Sequence, residues 1–185
     1  MTATTYFRAQ AYNNAWANYR LLGAAGRLNT DELSASRASF FPSIIHTLNH
    51  ILTVDWFYVA ALEGQGVDHA EFDEIPCSAI ADLEREQKAV DHRLISLCDA
   101  LDDAGLAETI DLIRDGWVQT EPKDRTLLHL FQHQVHHRGQ VHSMLSGTRV
   151  EPPQLDEFFP GAEQERALRA ADFRALGFNE ETIWR

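Results

Sequence analysis

The chain has 185 residues, 44% of them apolar, and a formal charge of −12 at pH 7, which suits a single domain over residues 1–185 with enough apolar side chains for a sizeable core. That charge repels phosphate backbones and anionic lipid, and no Lys/Arg cluster with interleaved aromatics offsets it, so neither nucleic acid nor a membrane is an expected partner. The start Met-Thr-Ala-Thr-Thr-Tyr lacks the basic and apolar character of a signal peptide, and no run of about 18 apolar residues occurs, which makes a soluble cytoplasmic protein the expectation.

Over about residues 5–22, Phe7, Tyr12, Ala15, Trp16, Tyr19 and Leu22 recur at helical spacing and predict a first helix, with Gly23 and Gly26 weakening the pattern beyond it. After the polar stretch Asn29-Thr30-Asp31-Glu32, Pro42 suits the first turn of a second helix, where its missing N–H would be unpaired anyway. This helix is predicted to reach Glu63 and to stop at Gly64, a residue free to take the left-handed conformation. Loop composition follows through Pro76. A third helix is predicted from about Ser78, carrying Leu83, Val90, Leu94 and Cys98, and fading at Gly105. Residues 110–120 alternate around Asp115-Gly116, the pattern of a small β-hairpin. A fourth helix is predicted from Asp124, as N-cap, to Ser146, with Gly147 as its stop. Pro152 and Pro153 enforce an extended passage, and an amphipathic stretch over 162–176 reads as a fifth, shorter helix. Together these elements predict an all-α fold: an antiparallel four-helix bundle with a short extra C-terminal helix and a small β-hairpin before the fourth helix.

Histidine placement is the strongest chemical signal. Five of the nine histidines lie between His129 and His142, and another two are His46 and His50. Residues four apart on a helix have Cβ atoms roughly 6 Å apart, close enough for two imidazoles to reach one ion, so His133 and His137 are candidate ligands. Two histidines fix a metal weakly, and a third donor is expected from another helix. Leu127, Leu130, Phe131, Val141, Met144 and Leu145 form one stripe at about 100° per residue, with His137 inside it and His133 on its edge. His129 and His136 fall outside. On the second helix, Ile44, Leu48, Ile51, Val54, Tyr58 and Leu62 define the buried face, which leaves His50 on its flank and His46 farther away. A single histidine at such a flank is more often hydrogen-bonded or exposed than a ligand. The HxxxH spacing, with His50 facing it, is what favours a three-histidine site.

The segment Leu127-Leu128-His129-Leu130-Phe131-Gln132-His133-Gln134-Val135-His136-His137-Arg138-Gly139-Gln140-Val141 resembles the last core helix of the DinB-like, damage-inducible family of bacterial metal-binding four-helix bundles, through its HxxxHRGQ pattern. Three further pieces agree: Tyr12-Asn13-Asn14-Ala15-Trp16-Ala17-Asn18, Leu48-Asn49-His50-Ile51-Leu52 and Pro152-Pro153-Gln154-Leu155-Asp156. The resemblance spans about residues 6–160. It implies a divalent metal on His50, His133 and His137, a homodimer, and, as in some members, thiol-dependent transferase or isomerase activity with a low-molecular-weight bacterial thiol. Other members have no assigned reaction, so the alternative is a stress-associated metal-binding protein without turnover. Imidazole suits several ions, of which zinc and nickel lead. No residue stands out as a general base, and no GxGxxG or GxSxG sequence points to an organic cofactor or a serine nucleophile.

Asp55 falls within the second helix's apolar stripe and Arg138 near that of the fourth. A charge in a core needs a partner, so each is expected to be paired, with the other as one candidate. Cys77 and Cys98 are expected to be reduced and structural, although the helix start after Cys77 could lower its pKa. Trp16, Tyr19, Trp56 and Phe57 are candidates to line a pocket above the metal, with core packing the expected role for most.

Overall fold

The computed structural model describes residues 2–184, and short polar side chains set most of its helix starts. Helix α1 (Ala3–Ala25) begins where the Thr2 side chain accepts the Thr5 N–H, and α2 (Thr30–Ser34) begins in a reciprocal Asn29/Glu32 capping box. Ser43 caps α3 (Ile44–Leu62) by accepting the His46 N–H, so Pro42 precedes the cap instead of occupying the first turn. Gly64, at φ +80°, closes that end as expected. Helix α4 (Ile80–Ala100) stops before Gly105, because the Asp102 carboxylate caps a separate short helix, α5 (Asp103–Ala107), at 2.7 Å from the Gly105 N–H.

Strands β1 (Thr109–Arg114) and β2 (Trp117–Pro122) form the expected hairpin, longer than predicted by a residue or two at each end. Asp115 and Gly116 both have positive φ, +36° and +84°, as a type I′ turn requires. Helix α6 (Lys123–Leu145) follows β2 directly, so Asp124 lies inside it and accepts the Arg125 N–H instead of capping. Its last turn tightens through a Thr148 N–H bond to the Leu145 carbonyl, and Gly147 is not left-handed. Helix α7 (Glu163–Leu176) ends on Gly177 at φ +71°, and a single turn, α8 (Glu180–Ile183), follows.

The chain is mostly helical, with one small antiparallel sheet. Each of α1 and α3 packs against both α4 and α6, which encloses one core. Every residue of the two predicted apolar stripes is buried. The C-terminal segment is strapped onto α1: Asp172 accepts Arg20 at 2.6 Å and the Trp16 indole N–H at 3.0 Å. Arg169, 1% exposed, donates to the Glu157 and Pro160 carbonyls and to the Glu180 carboxylate.

Between the four long helices lies a network of buried polar groups. Asp91 of α4 accepts the amides of Asn14 and Asn18 of α1 at 3.1 and 3.0 Å. Arg138 of α6 donates to the carbonyl oxygens of the same two asparagines. Gln87 of α4 donates to Asp55 of α3 at 2.6 Å and to Asp91 at 3.3 Å, and Gln134 of α6 donates to the other oxygen of Asp55. Asp55 and Arg138 are therefore partnered as expected, but through amides and not with each other.

Burial, and then the charge of Asp91, pushes the Asp55 carboxyl up to about 8, and burial pushes Asp91 up to about 6. One proton between two carboxylates leaves the group neutral against a single guanidinium. The carbonyl oxygens of Gln87 and Gln134, buried without partners, can accept that proton's hydrogen bond after an amide rotation. A carboxyl raised in the fold keeps its proton where the unfolded chain has lost it, so stability falls as pH rises between its unfolded and folded pKa values. From pH 6.5 to 8, unfolding free energy should drop by up to about 1.4 kcal/mol per pH unit, and Asp55→Asn should flatten that slope. Urea titrations at each pH test this, and an unchanged slope in the variant would place the proton elsewhere.

Candidate metal centre

Helix α3 presents His50 on its flank, and α6 presents His133 and His137 one turn apart. One ring nitrogen from each lies within 4.8 Å of those from the other two, and no carboxylate or thiol joins them among the described residues. The Nε2 atoms of His50 and His133 are 3.1 Å apart. Ring centroids are 4.6 Å apart for His50 and His137, and 4.3 Å for His133 and His137. Thus the structure brings together the three candidates named from sequence.

Burial, with neighbouring histidines second, pushes His50 down to about 4 and His133 to about 3. His137 is lowered mainly by burial, against a hydrogen bond that it donates to Gln140 and that acts the other way. All three rings are therefore neutral at pH 7, the state that donates a lone pair to a metal. Gln140 Oε1 lies 2.8 Å from His137 Nδ1, so Nδ1 carries the hydrogen and Nε2 keeps its lone pair. Two nitrogens at zinc–nitrogen distances of about 2.0–2.1 Å in a tetrahedron sit about 3.3 Å apart, close to the His50–His133 spacing. Buried His133 Nδ1 has no hydrogen-bond partner among the described residues, so none of them fixes that ring through its outer nitrogen. The donor set fits a divalent ion.

The aromatic wall is not the one expected. Phe41, in the segment before α3, has its ring centroid 4.4 Å from His50, 4.8 Å from His46 and 5.7 Å from His137. Phe40, 77% exposed, lies 6.3 Å from His137. Trp16 packs on Phe158, Trp56 on Phe72 and Phe57 on Tyr58, while Tyr19 is exposed; none makes a ring contact with the three histidines among the described residues. Phe40-Phe41-Pro42 was visible in the sequence as paired aromatics just before a histidine-bearing helix. Periodicity gave it no face because it is not helical.

Other histidines take separate roles. His46 lies 3.3 Å from the Glu74 carboxylate and outside the cluster. His129 and His136 are exposed as expected; the His129 ring packs at a tilt against Tyr58, whose hydroxyl accepts from Arg114 at 2.7 Å. His142 Nε2 is 3.0 Å from the Pro153 carbonyl. Both cysteines are free thiols. Burial and nearby Glu86 and Asp82 push Cys77 up, the reverse of the lowering considered from sequence, and the α4 cap position falls later, at Ala79. Burial pushes Cys98 up to about 12.

No helix among the described residues is long and apolar enough to cross a membrane. No curated protein matches the chain by sequence. Among solved structures it is similar to a DinB-like protein from Bacillus cereus ATCC 10987, with a TM-score of 0.58 at 17% identity over 75% of this chain and 90% of that one, a likeness of fold. The model of the DinB family matches residues 1–167, a span that contains all three clustered histidines. The chain belongs to the DinB family.

Proposed function

We propose that His50, His133 and His137 bind one divalent metal ion, zinc or nickel, and that this cytoplasmic protein uses it for thiol-dependent transfer or isomerisation. The observation that carries the metal is the convergence of three neutral imidazoles, one of them oriented by Gln140. Their scaffold is read as a single-domain antiparallel four-helix bundle. Held by His50, His133 and His137, a divalent ion would supply Lewis acidity, lowering the pKa of a bound water to about 7 or favouring the thiolate of a bound thiol. Phe41 covers one side of the imidazoles and limits water there, while Gln140 holds the His137 tautomer.

A second reading, a stress-associated metal-binding protein without turnover, is favoured by the absence of any carboxylate from the cluster among the described residues. We also propose a homodimer through the outer α1/α6 face. Tyr6, Leu128 and Val135 are 57%, 61% and 58% exposed there, and the groove they line with Gln10 and Gln132 holds no charged residue. Two copies at −12 each repel, so an uncharged apolar face is where they can meet.

Protein purified without a histidine tag should carry zinc or nickel at one ion per chain by elemental analysis, and His137→Ala should lose it. Gln140→Leu should weaken the affinity by about 10- to 100-fold; equal metal content in His137→Ala would contradict the assignment. Conjugation of low-molecular-weight thiols to electrophiles should stop on chelation and return with metal, whereas chelator-insensitive or absent turnover across a thiol panel would leave the binding protein. Sedimentation should give a dimer that Val135→Glu splits into monomers, and a wild-type monomer would refute the interface.

A further inference from the structure

A cavity of about 220 Å³ opens between α1, α4 and the end of α7. Ala15, Tyr19, Leu22 and Leu176 give it apolar walls, and Asp91 is the one buried ionisable side chain that lines it, 4% exposed. The two oxygens of Asp91 are unequally served. Among the described residues Oδ1 accepts from Asn14, Asn18 and Gln87, whereas Oδ2 accepts only from Asn18, at 3.3 Å. A carboxylate oxygen has room for two good donors, so Oδ2 is left short of its capacity.

Charge points the same way. Asp55 and Asp91 share one buried cation, Arg138, and one proton, so an ammonium beside Asp91 would take the place of that proton and leave the group neutral. Lys88, at the exposed rim, forms no ion pair with Asp91 or Glu84 among the described residues and is not that counter-ion. The volume sets the size. A 150 Å³ apolar cavity holds benzene and drug-sized pockets start at about 300 Å³, so the occupant has about eight non-hydrogen atoms.

We propose that this cavity is a binding site for a small primary amine with an apolar tail, its ammonium on Asp91 Oδ2 and its tail against α1 and α7. The site is separate from the histidine cluster and does not rest on the metal reading.

The test is an NMR titration of ¹⁵N-labelled protein with n-hexylamine, with 1-hexanol and hexanoate as its neutral and anionic matches. The amine should give saturable shifts grouped at Ala15, Gly23 and Asp91, with a dissociation constant of about 1 mM or tighter, and the alcohol should bind about tenfold more weakly. Gly23 lines the cavity and a Cβ there meets no atom within 4 Å, so Gly23→Leu adds apolar bulk at the cavity wall with no clash at its Cβ and should abolish the shifts. Asp91→Asn should bring the amine down to the level of the alcohol. Metal-free and metal-loaded protein should behave alike, which separates this outcome from any failure of the metal centre. Absence of saturation by about 10 mM amine, equal binding of 1-hexanol or hexanoate, or unchanged binding in folded Gly23→Leu would overturn the proposal.

Discussion

Seven polar side chains buried between the long helices, Asn14 and Asn18 of α1, Asp55 of α3, Gln87 and Asp91 of α4, and Gln134 and Arg138 of α6, set the register on which the rest of the molecule depends. Apolar packing alone tolerates a helix sliding or turning by small amounts. A buried charge does not, because removing its partner costs about 3–5 kcal/mol. Sliding any one of the four helices by a turn would strand Asp55, Asp91 or Arg138. The network therefore contributes less to raw stability than to the uniqueness of the arrangement, since well-packed apolar residues could serve stability as well.

The histidine cluster inherits that register. Gln134, which ties α6 to Asp55 on α3, is the residue next to His133, and Asp55 lies five residues along from His50. The contact that satisfies a buried carboxylate thus also fixes how the two histidine-bearing helices face each other. Around the ring nitrogens the environment is different in kind: among the described residues no acid joins the cluster, burial keeps the imidazoles neutral, and Gln140 selects the tautomer of one of them. Such a neutral, lone-pair-rich cluster could hold a cation without a counter-ion from the protein, which would leave the ion's charge free to act on a bound molecule.

Much of this was legible in the amino-acid sequence where a single helix or turn decides the outcome. The α6 stripe placed His137 inside and His129 and His136 outside, and Asp115-Gly116 marked the hairpin. Errors cluster where two local signals compete. Ser43 outranks Pro42 as the start of α3, β2 runs straight into α6 and leaves Asp124 no cap to make, and Asp102 ends α4 early by starting α5. The network was only half visible. Asp55 and Arg138 stood out as charges among apolar residues, but Asn14, Asn18, Gln87 and Gln134 read as ordinary polar positions, because an uncharged amide on a helix gives no sign of whether it meets water or a carboxylate. Phe41 was missed because its segment has no period, and its role depends on how the chain folds back over α3 and α6.

The claim that these helices preform a three-imidazole metal centre is tested most directly by anomalous diffraction from crystals grown with zinc and recorded at the zinc edge. The account predicts one strong peak per chain with ring nitrogens of His50, His133 and His137 at about 2.0–2.1 Å and with the buried amide–carboxylate contacts of Asp55 intact. A peak held by other residues, or an empty cluster in zinc-soaked crystals, would contradict it.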